Sequence, residues 1–247
     1  FRRNPATRSR RNVAHHYDIG NDLYRLFLDD DLQYSCAYFT DPANSLEQAQ
    51  LDKKAHIAAK LYLKPGMKVL DIGCGWGGTA LYLHRVADVD VLGITLSQEQ
   101  LKVARQRAEE AGVADRVKFE LIDFRELEGT FDRIVSIGMF EHVGAAHFDE
   151  FFAACKRMLA EDGVMLLHTI GKYGKANAPD PFTDKYIFPG YHLPSISQLA
   201  AATERQRLLT SDLEILRVHY AFTLQHWLER ARGNKKRIVA LYDERFY

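Results

Sequence analysis

The stretch Val69-Leu70-Asp71-Ile72-Gly73-Cys74-Gly75-Trp76-Gly77-Gly78 runs from a short apolar strand pattern into a glycine-rich turn and then into a helix. Glycines at such a junction let the backbone reverse sharply and let a ligand approach the main chain and the helix N-terminus. A tight packing turn is the ordinary alternative, but strand, loop and helix in this order favour a nucleotide-type ligand. The loop is not a phosphate cradle, since no Gly-Lys-Ser/Thr ending follows it. A dinucleotide site would place an acid at the end of the second strand, about 20 residues on. That strand ends Gly93-Ile94-Thr95-Leu96, without a carboxylate.

The acid instead precedes the glycines, as Asp71, which is the arrangement of S-adenosylmethionine methyltransferases. A carboxylate suits a cationic sulfonium and repels a pyrophosphate. Outward from the loop, short apolar runs alternate with amphipathic segments, the pattern of a doubly wound, mostly parallel α/β sheet. Strands are expected at Lys68–Ile72, Val89–Thr95, Val117–Ile122, Arg133–Ile137 and Val164–Thr169, with a last one over Leu213–His219. Ser97-Gln-Glu-Gln100 reads as a capping box opening the best-defined helix, which Gly112 closes. Before the sheet, residues 1–63 read as a basic arm and a helical cap, with Asp29-Asp30-Asp31 as a solvated turn. Residues 64–170 form the Rossmann-like core. Residues 171–211 are an aromatic-rich, lid-like insertion followed by a helix, and 212–247 supply the last strand and helix.

The chain has 247 residues, with 33 Lys+Arg balancing 33 Asp+Glu. That zero argues against nucleic acid, which calls for a basic excess. At 47% hydrophobic and 27% charged the chain is globular, and no apolar run approaches the roughly 20 residues of a membrane span. Cys36, Cys74 and Cys155 lack disulfide or metal spacing, and His15-His16 has no further spaced ligands, so no metal is expected. A reducing, cytoplasmic setting fits. The zero is also a sum of local imbalances. Residues 1–12 carry five Arg and no acid, and from Glu229 to Tyr247 six basic residues face three acids. Both ends therefore offer basic surface to the inner face of an anionic membrane. The chain opens at Phe1 without Met and stops at Tyr247 in what reads as a helix, so residues beyond both ends are expected.

Beyond the glycine loop, the segments Tyr17-Asp-Ile-Gly-Asn-Asp-Leu-Tyr24, Tyr34-Ser-Cys-Ala-Tyr-Phe39, Gly93-Ile-Thr-Leu-Ser97, Gly138-Met-Phe-Glu-His-Val-Gly144 and His219-Tyr-Ala-Phe-Thr-Leu224 span most of the chain. With them the sequence resembles the cyclopropane fatty acid synthase family, which includes the mycolic acid cyclopropane synthases. The resemblance implies a class I methyltransferase that uses S-adenosylmethionine and a bound bicarbonate as base. It acts on the cis double bond of unsaturated phospholipid acyl chains at the membrane surface. Larger members point to a homodimer. Carried over by motif, the cofactor contacts are Tyr34, Ser35, Asp71, Gly73, Cys74, Gly75, Gly77, Thr95, Leu96, Gln100, Phe124 and Arg125. The bicarbonate and catalytic set is Cys36, Glu141, His168, Ile170 and Tyr220.

Each candidate also has an ordinary reading. Cys36 could be a small buried apolar residue, Glu141 and His142 a helix cap, His168 a satisfied core histidine, and Tyr220 plain packing. No covalent role is assigned to Cys36, because a reactive thiolate would be alkylated by the sulfonium. Three other functions compete with cyclopropanation. A related lipid methyltransferase would leave a methyl branch or a hydroxyl, a small-molecule N-methyltransferase would use the Glu-His pair on an amine, and a non-catalytic lipid binder would keep only the fold.

Overall fold

The computed structural model describes residues 20–174 and 180–247. Helix α1 (Leu46–Lys60) is capped by Ser45, whose hydroxyl accepts from the Gln48 N–H, and precedes the sheet. Five strands follow: β1 (Lys68–Ile72), β2 (Asp90–Thr95), β3 (Val117–Leu121), β4 (Phe131–Ile137) and β5 (Leu159–His168). Their order is β3-β2-β1-β4-β5 and every pairing is parallel. The five strands expected up to residue 170 are present. β5 begins earlier than its apolar run, because a bulge opposite Phe131–Arg133 lets Leu159 join the ladder. The connecting helices are α2 (Gly78–Ala87), α3 (Gln98–Glu110) and α4 (Phe148–Met158); α5 (Ile196–Arg205), α6 (Val218–Gly233) and α7 (Lys235–Leu241) come after the sheet.

Neighbouring residues of a strand point to opposite faces, and both faces of the central strand β1 are covered, so it is nearly all apolar, whereas the edge strand β3 alternates between buried Val117 and Phe119 and exposed Lys118 and Glu120. Leu70, Ile72 and Ile134 pack on one side with Phe140, Phe148 and Phe151. Val69, Val91 and Val135 pack on the other with Leu83, Leu101 and Ala104. A third cluster joins Tyr24, Leu28 and Trp76 to Trp227 of α6. There Arg230 donates to the Leu28 carbonyl at 2.8 Å and Asn234 to that of Leu26 at 2.8 Å, clasping the cap to the C-terminal helices.

Four local expectations change. No strand forms over Leu213–His219: residues 211–216 are irregular and α6 starts at Val218. Side chains fix that segment in place of ladder bonds, since Glu214 pairs with His56 at 2.7 Å and with Lys60 at 2.5 Å, both on α1. The Asp triplet does turn, but only Asp30 is exposed. Asp29 is buried, with its carboxylate accepting from the Gln33 N–H at 2.8 Å, and Asp31 pairs with Lys54 and Arg107. The Ser97 hydroxyl accepts from Gln100 N, yet the return arm of the capping box is missing, because the Gln100 side chain accepts instead from the Thr95 hydroxyl at 3.0 Å. The last helix stops at Leu241, short of the chain end. The Arg-rich arm, His15-His16 and Tyr17 lie outside the described residues.

Gly77 is the N-cap of α2 at φ +83°, and a Cβ there would stand 2.7 Å from Phe119 Cζ. Gly77→Ala should therefore cost on the order of 2 kcal/mol, read as a lowered thermal midpoint.

Candidate active site

Between β1 and β4 the strand order reverses, and a parallel sheet opens a crevice at such a point, outside the C-terminal strand ends. A cleft of about 1130 Å³, counting its open mouth, lies there. Its walls come from the loop after β1, the β2–α3 turn with Gln100, the Ile122–Arg125 segment after β3, the Ile137–Met139 segment after β4, and the N-terminal residues Leu32–Ser35. Eleven of the twelve expected cofactor residues line it: Tyr34, Ser35, Asp71, Gly73, Cys74, Gly75, Thr95, Leu96, Gln100, Phe124 and Arg125. Gly77 does not, and its collision course with Phe119 gives it a packing role. Gly75 is its opposite. It sits at φ +55°, and a Cβ there would meet nothing within 4 Å, so the loop backbone is bare on that side.

Asp71 lies in the buried stretch Val69–Ile72 of β1, and its Oδ2 has no hydrogen-bond partner. Burial pushes its carboxyl up to about 7, with the charge of Lys53 working the other way. An orphaned acid in a cleft wall matches a cationic ligand. Across the cleft, Arg125 forks onto Asp123 at 2.8 and 2.6 Å and lies 5.3 Å from the Phe124 ring centroid, which fixes the wall after β3. The insertion reaches the cleft through Phe188, stacked on Tyr34 at 6.2 Å and edge-on to His142 at 5.9 Å.

None of the five expected catalytic residues lines the cleft, although Cys36 follows the wall residues Tyr34 and Ser35 in sequence and Glu141 precedes the wall residue His142. Glu141 Oε1 accepts from the Ile170 N–H at 2.7 Å, while Glu141 Oε2 and His168 Nδ1 are buried without partners. Burial, opposed by that Ile170 N–H, raises the Glu141 carboxyl. Burial raises the Tyr220 hydroxyl, and the nearby Glu141 and Cys36 add to it. The Cys36 thiol is pushed up to about 11 by burial, and the His168 imidazole down to about 4 by burial and by Lys53. At neutral pH the thiol, phenol and imidazole are thus uncharged. Thr223 of α6 accepts from Ala37 N at 3.0 Å and His219 Nδ1 from Phe39 N at 2.9 Å, which anchors the Cys36 segment beside Tyr220.

Sequence reading missed Gln33, Asp123, Met139 and Lys53. The first three line the cleft. Lys53 is 2% exposed, with its Nζ donating to Gln33 Oε1 at 2.9 Å and Ser35 Oγ at 2.8 Å. The available signal was spacing: Leu46, Ala49, Gln50, Lys53 and Ile57 fall on one helical face, which places the lysine inward.

A family model described as mycolic acid cyclopropane synthetase matches residues 4–247. A probable fatty acid methyltransferase of Pseudomonas putida is 42% identical over 241 residues, covering 94% of this chain and 61% of its own. The cyclopropane-fatty-acyl-phospholipid synthase of Escherichia coli K12 is 47% identical over 231 residues, covering 94% and 59%. The chain thus spans about three fifths of the length of these relatives. Among solved structures, a mycolic acid cyclopropane synthase, CmaA1, complexed with SAH and CTAB, superimposes with a TM-score of 0.89 at 36% identity, covering 96% of this chain and 87% of that one. The doubly wound sheet is therefore that of a Rossmann-like class I methyltransferase.

Between the ordinary carboxyl value of 3.8 and about 7, the folded protein keeps a proton on Asp71 that the unfolded chain has released, so this group lowers stability as pH rises through that window. Asp71→Asn removes the penalty. In urea titrations of the ligand-free protein the variant should gain on the order of 2–4 kcal/mol at pH 8, shrinking toward pH 4.

Proposed function

The chain belongs to the mycolic acid cyclopropane synthetase family, and we propose that it binds S-adenosylmethionine in the cleft and transfers the methyl carbon to the cis double bond of an unsaturated phospholipid acyl chain, which closes to a cyclopropane. The observation that carries this reading is a cleft with a bare glycine loop and an orphaned acid, accompanied by the thiol of Cys36 and the imidazole of His168, both uncharged at neutral pH.

An alkene is a weak nucleophile, and methyl transfer to it leaves a carbocation that water would trap. The site must hold the reactants in near-attack geometry and keep solvent out. S-adenosylmethionine in the cleft supplies the electrophilic methyl. Asp71 then meets a cationic ligand, and Gly75 admits it against bare backbone. Phe188, stacked on Tyr34, closes the cleft from the insertion side, and the two rings turn π-faces rather than alkylatable lone pairs toward positive charge.

Ring closure removes a proton from the added methyl. Bicarbonate held among Cys36, Glu141, His168, Ile170 and Tyr220 supplies a compact base there. These residues fit a small anion: Tyr220 is kept protonated and so donates, neutral His168 has a free Nδ1, and Glu141 holds the Ile170 backbone in place. The substrate reaches the site from a membrane surface. None of the described helices is long and apolar enough to cross a bilayer, while the segment from Glu229 to Tyr247 carries six basic residues against three acids. Peripheral association with an anionic membrane and assembly as a homodimer complete the proposal.

Incubation with labelled S-adenosylmethionine and mixed unsaturated phospholipids should add one CH2 per acyl chain with loss of the double bond. A labelled chain that keeps its double bond would replace cyclopropanation by methyl branching, and unlabelled lipid beside methylated amines would overturn the lipid reading. Glu141→Gln should lower kcat by roughly 100-fold or more while leaving the affinity for S-adenosylhomocysteine unchanged; full turnover by that variant would sink the base network.

A further inference from the structure

Lys53 is among the largest fully buried side chains, yet both hydrogen bonds of its Nζ go to neutral oxygens, Gln33 Oε1 and Ser35 Oγ. A buried cation without a contacting carboxylate is costly, so its retention calls for a reason beyond stability. An ammonium has three N–H donors and no acceptor. Ser35 Oγ must therefore accept from Lys53, and the hydroxyl's own hydrogen turns elsewhere. Among the described residues no group accepts from Ser35 Oγ, and Ser35 lines the cleft. Gln33 is locked in the same sense: its Oε1 faces Lys53 and its Nε2 donates to Asp31 Oδ2 at 3.0 Å, a carboxylate that only accepts. One helical turn earlier, Gln50 donates to the backbone carbonyls of Gln33 and Ser35 at 3.2 and 3.0 Å, so α1 fixes both the main chain and the side chains of this wall.

We propose that Lys53 is a positioning residue that sets the hydrogen-bond polarity of the cleft, committing the Ser35 hydroxyl to donate into it and so selecting a ligand with a strong acceptor, the α-carboxylate of the S-adenosyl amino acid. The inference rests on the cofactor reading above. Burial lowers the Lys53 amine to about 8, so at pH 7 it is still mostly protonated and acts as a donor only.

Calorimetry at pH 7 with two ligands tests this. S-adenosylhomocysteine carries the carboxylate, and 5′-methylthioadenosine keeps the adenosine and thioether without it. Lys53→Met should weaken S-adenosylhomocysteine about tenfold, the scale of a hydrogen bond to a charged group, and leave methylthioadenosine unchanged. Ser35→Ala should reproduce that selective loss, and adding Lys53→Met to it should cost nothing more. Equal weakening of both ligands would assign Lys53 to packing and overturn the proposal; additive losses would overturn it in favour of direct charge attraction. Should Lys53→Met fail to fold, Ser35→Ala still decides, since without a selective loss there the hydroxyl is not the group through which Lys53 acts. If the wild-type protein bound methylthioadenosine but not S-adenosylhomocysteine, the cofactor reading itself would fall.

Discussion

Asp71 and Lys53 are opposite charges sealed in one interior, and neither is neutralised by what it touches. Asp71 Oδ2 has no partner, and the Lys53 ammonium rests on an amide oxygen and a hydroxyl. In a low-dielectric interior each would be costly alone: Lys53 holds the Asp71 carboxyl below where burial would leave it, and the charge of buried Asp29 holds the Lys53 amine above where burial would leave it. The wall between the cap and the sheet carries the polar groups that go with such a lysine. Gln33, Gln50 and Thr79 are buried there beside Asp29, with Gln33 accepting from both Lys53 and Thr79. An apolar cap would fit the same sheet with less electrostatic strain, but it would leave nothing to receive a charged ligand.

Charge also divides the chemistry. The cleft keeps a titratable acid near neutrality and an arginine tied to Asp123, whereas the cluster outside its lining is made of groups that burial has stripped of charge. Lys53 acts on both sides: the imidazole of His168 and the thiol of Cys36 each sense it, and it bonds to the cleft wall through Ser35. Tyr34-Ser35-Cys36 is the shared partition, its first two residues facing the cleft and the third facing the cluster.

The sheet was legible in the sequence because its central strands are buried on both faces as apolar runs, and its edge strand β3 keeps the alternation of a half-buried strand. The glycine loop was legible because a ligand-facing bend needs residues without Cβ, although Gly77 carries the same signature for a different reason, the approach of Phe119. The polar interior was not. Lys53-Lys54 and Asp29-Asp30-Asp31 have the composition of solvated surface, and only tertiary packing turns both lysines and Asp29 inward. Leu213–His219 misled for a related reason. Its alternating apolar residues have the period of a strand, but its one acid, Glu214, is held by His56 and Lys60 of α1, and Leu213 and Ile215 are left exposed. The proposed catalytic set comes from four separate stretches, Cys36, Glu141, His168–Ile170 and Tyr220, so local pattern alone could not join them without the family motifs.

The proposed chemistry would bring an alkylating sulfonium and a carbocation to this site, and two thiols and a lysine beside the cleft are held in their protonated forms. Cys74 stands in the cleft wall itself, where burial and the neighbouring Asp71 push its thiol well above the ordinary value. Cys36 is likewise held as a thiol, since Lys53 offsets only part of the effect of burial. Lys53 has its amine drawn down to about 8 by burial, opposed by the charge of Asp29, so near neutral pH it stays mostly an ammonium, which has no lone pair to attack with. A buried ammonium offers donors and no lone pair, so the group that would orient the cleft wall through Gln33 and Ser35 is, while protonated, a poor methyl acceptor for the proposed chemistry.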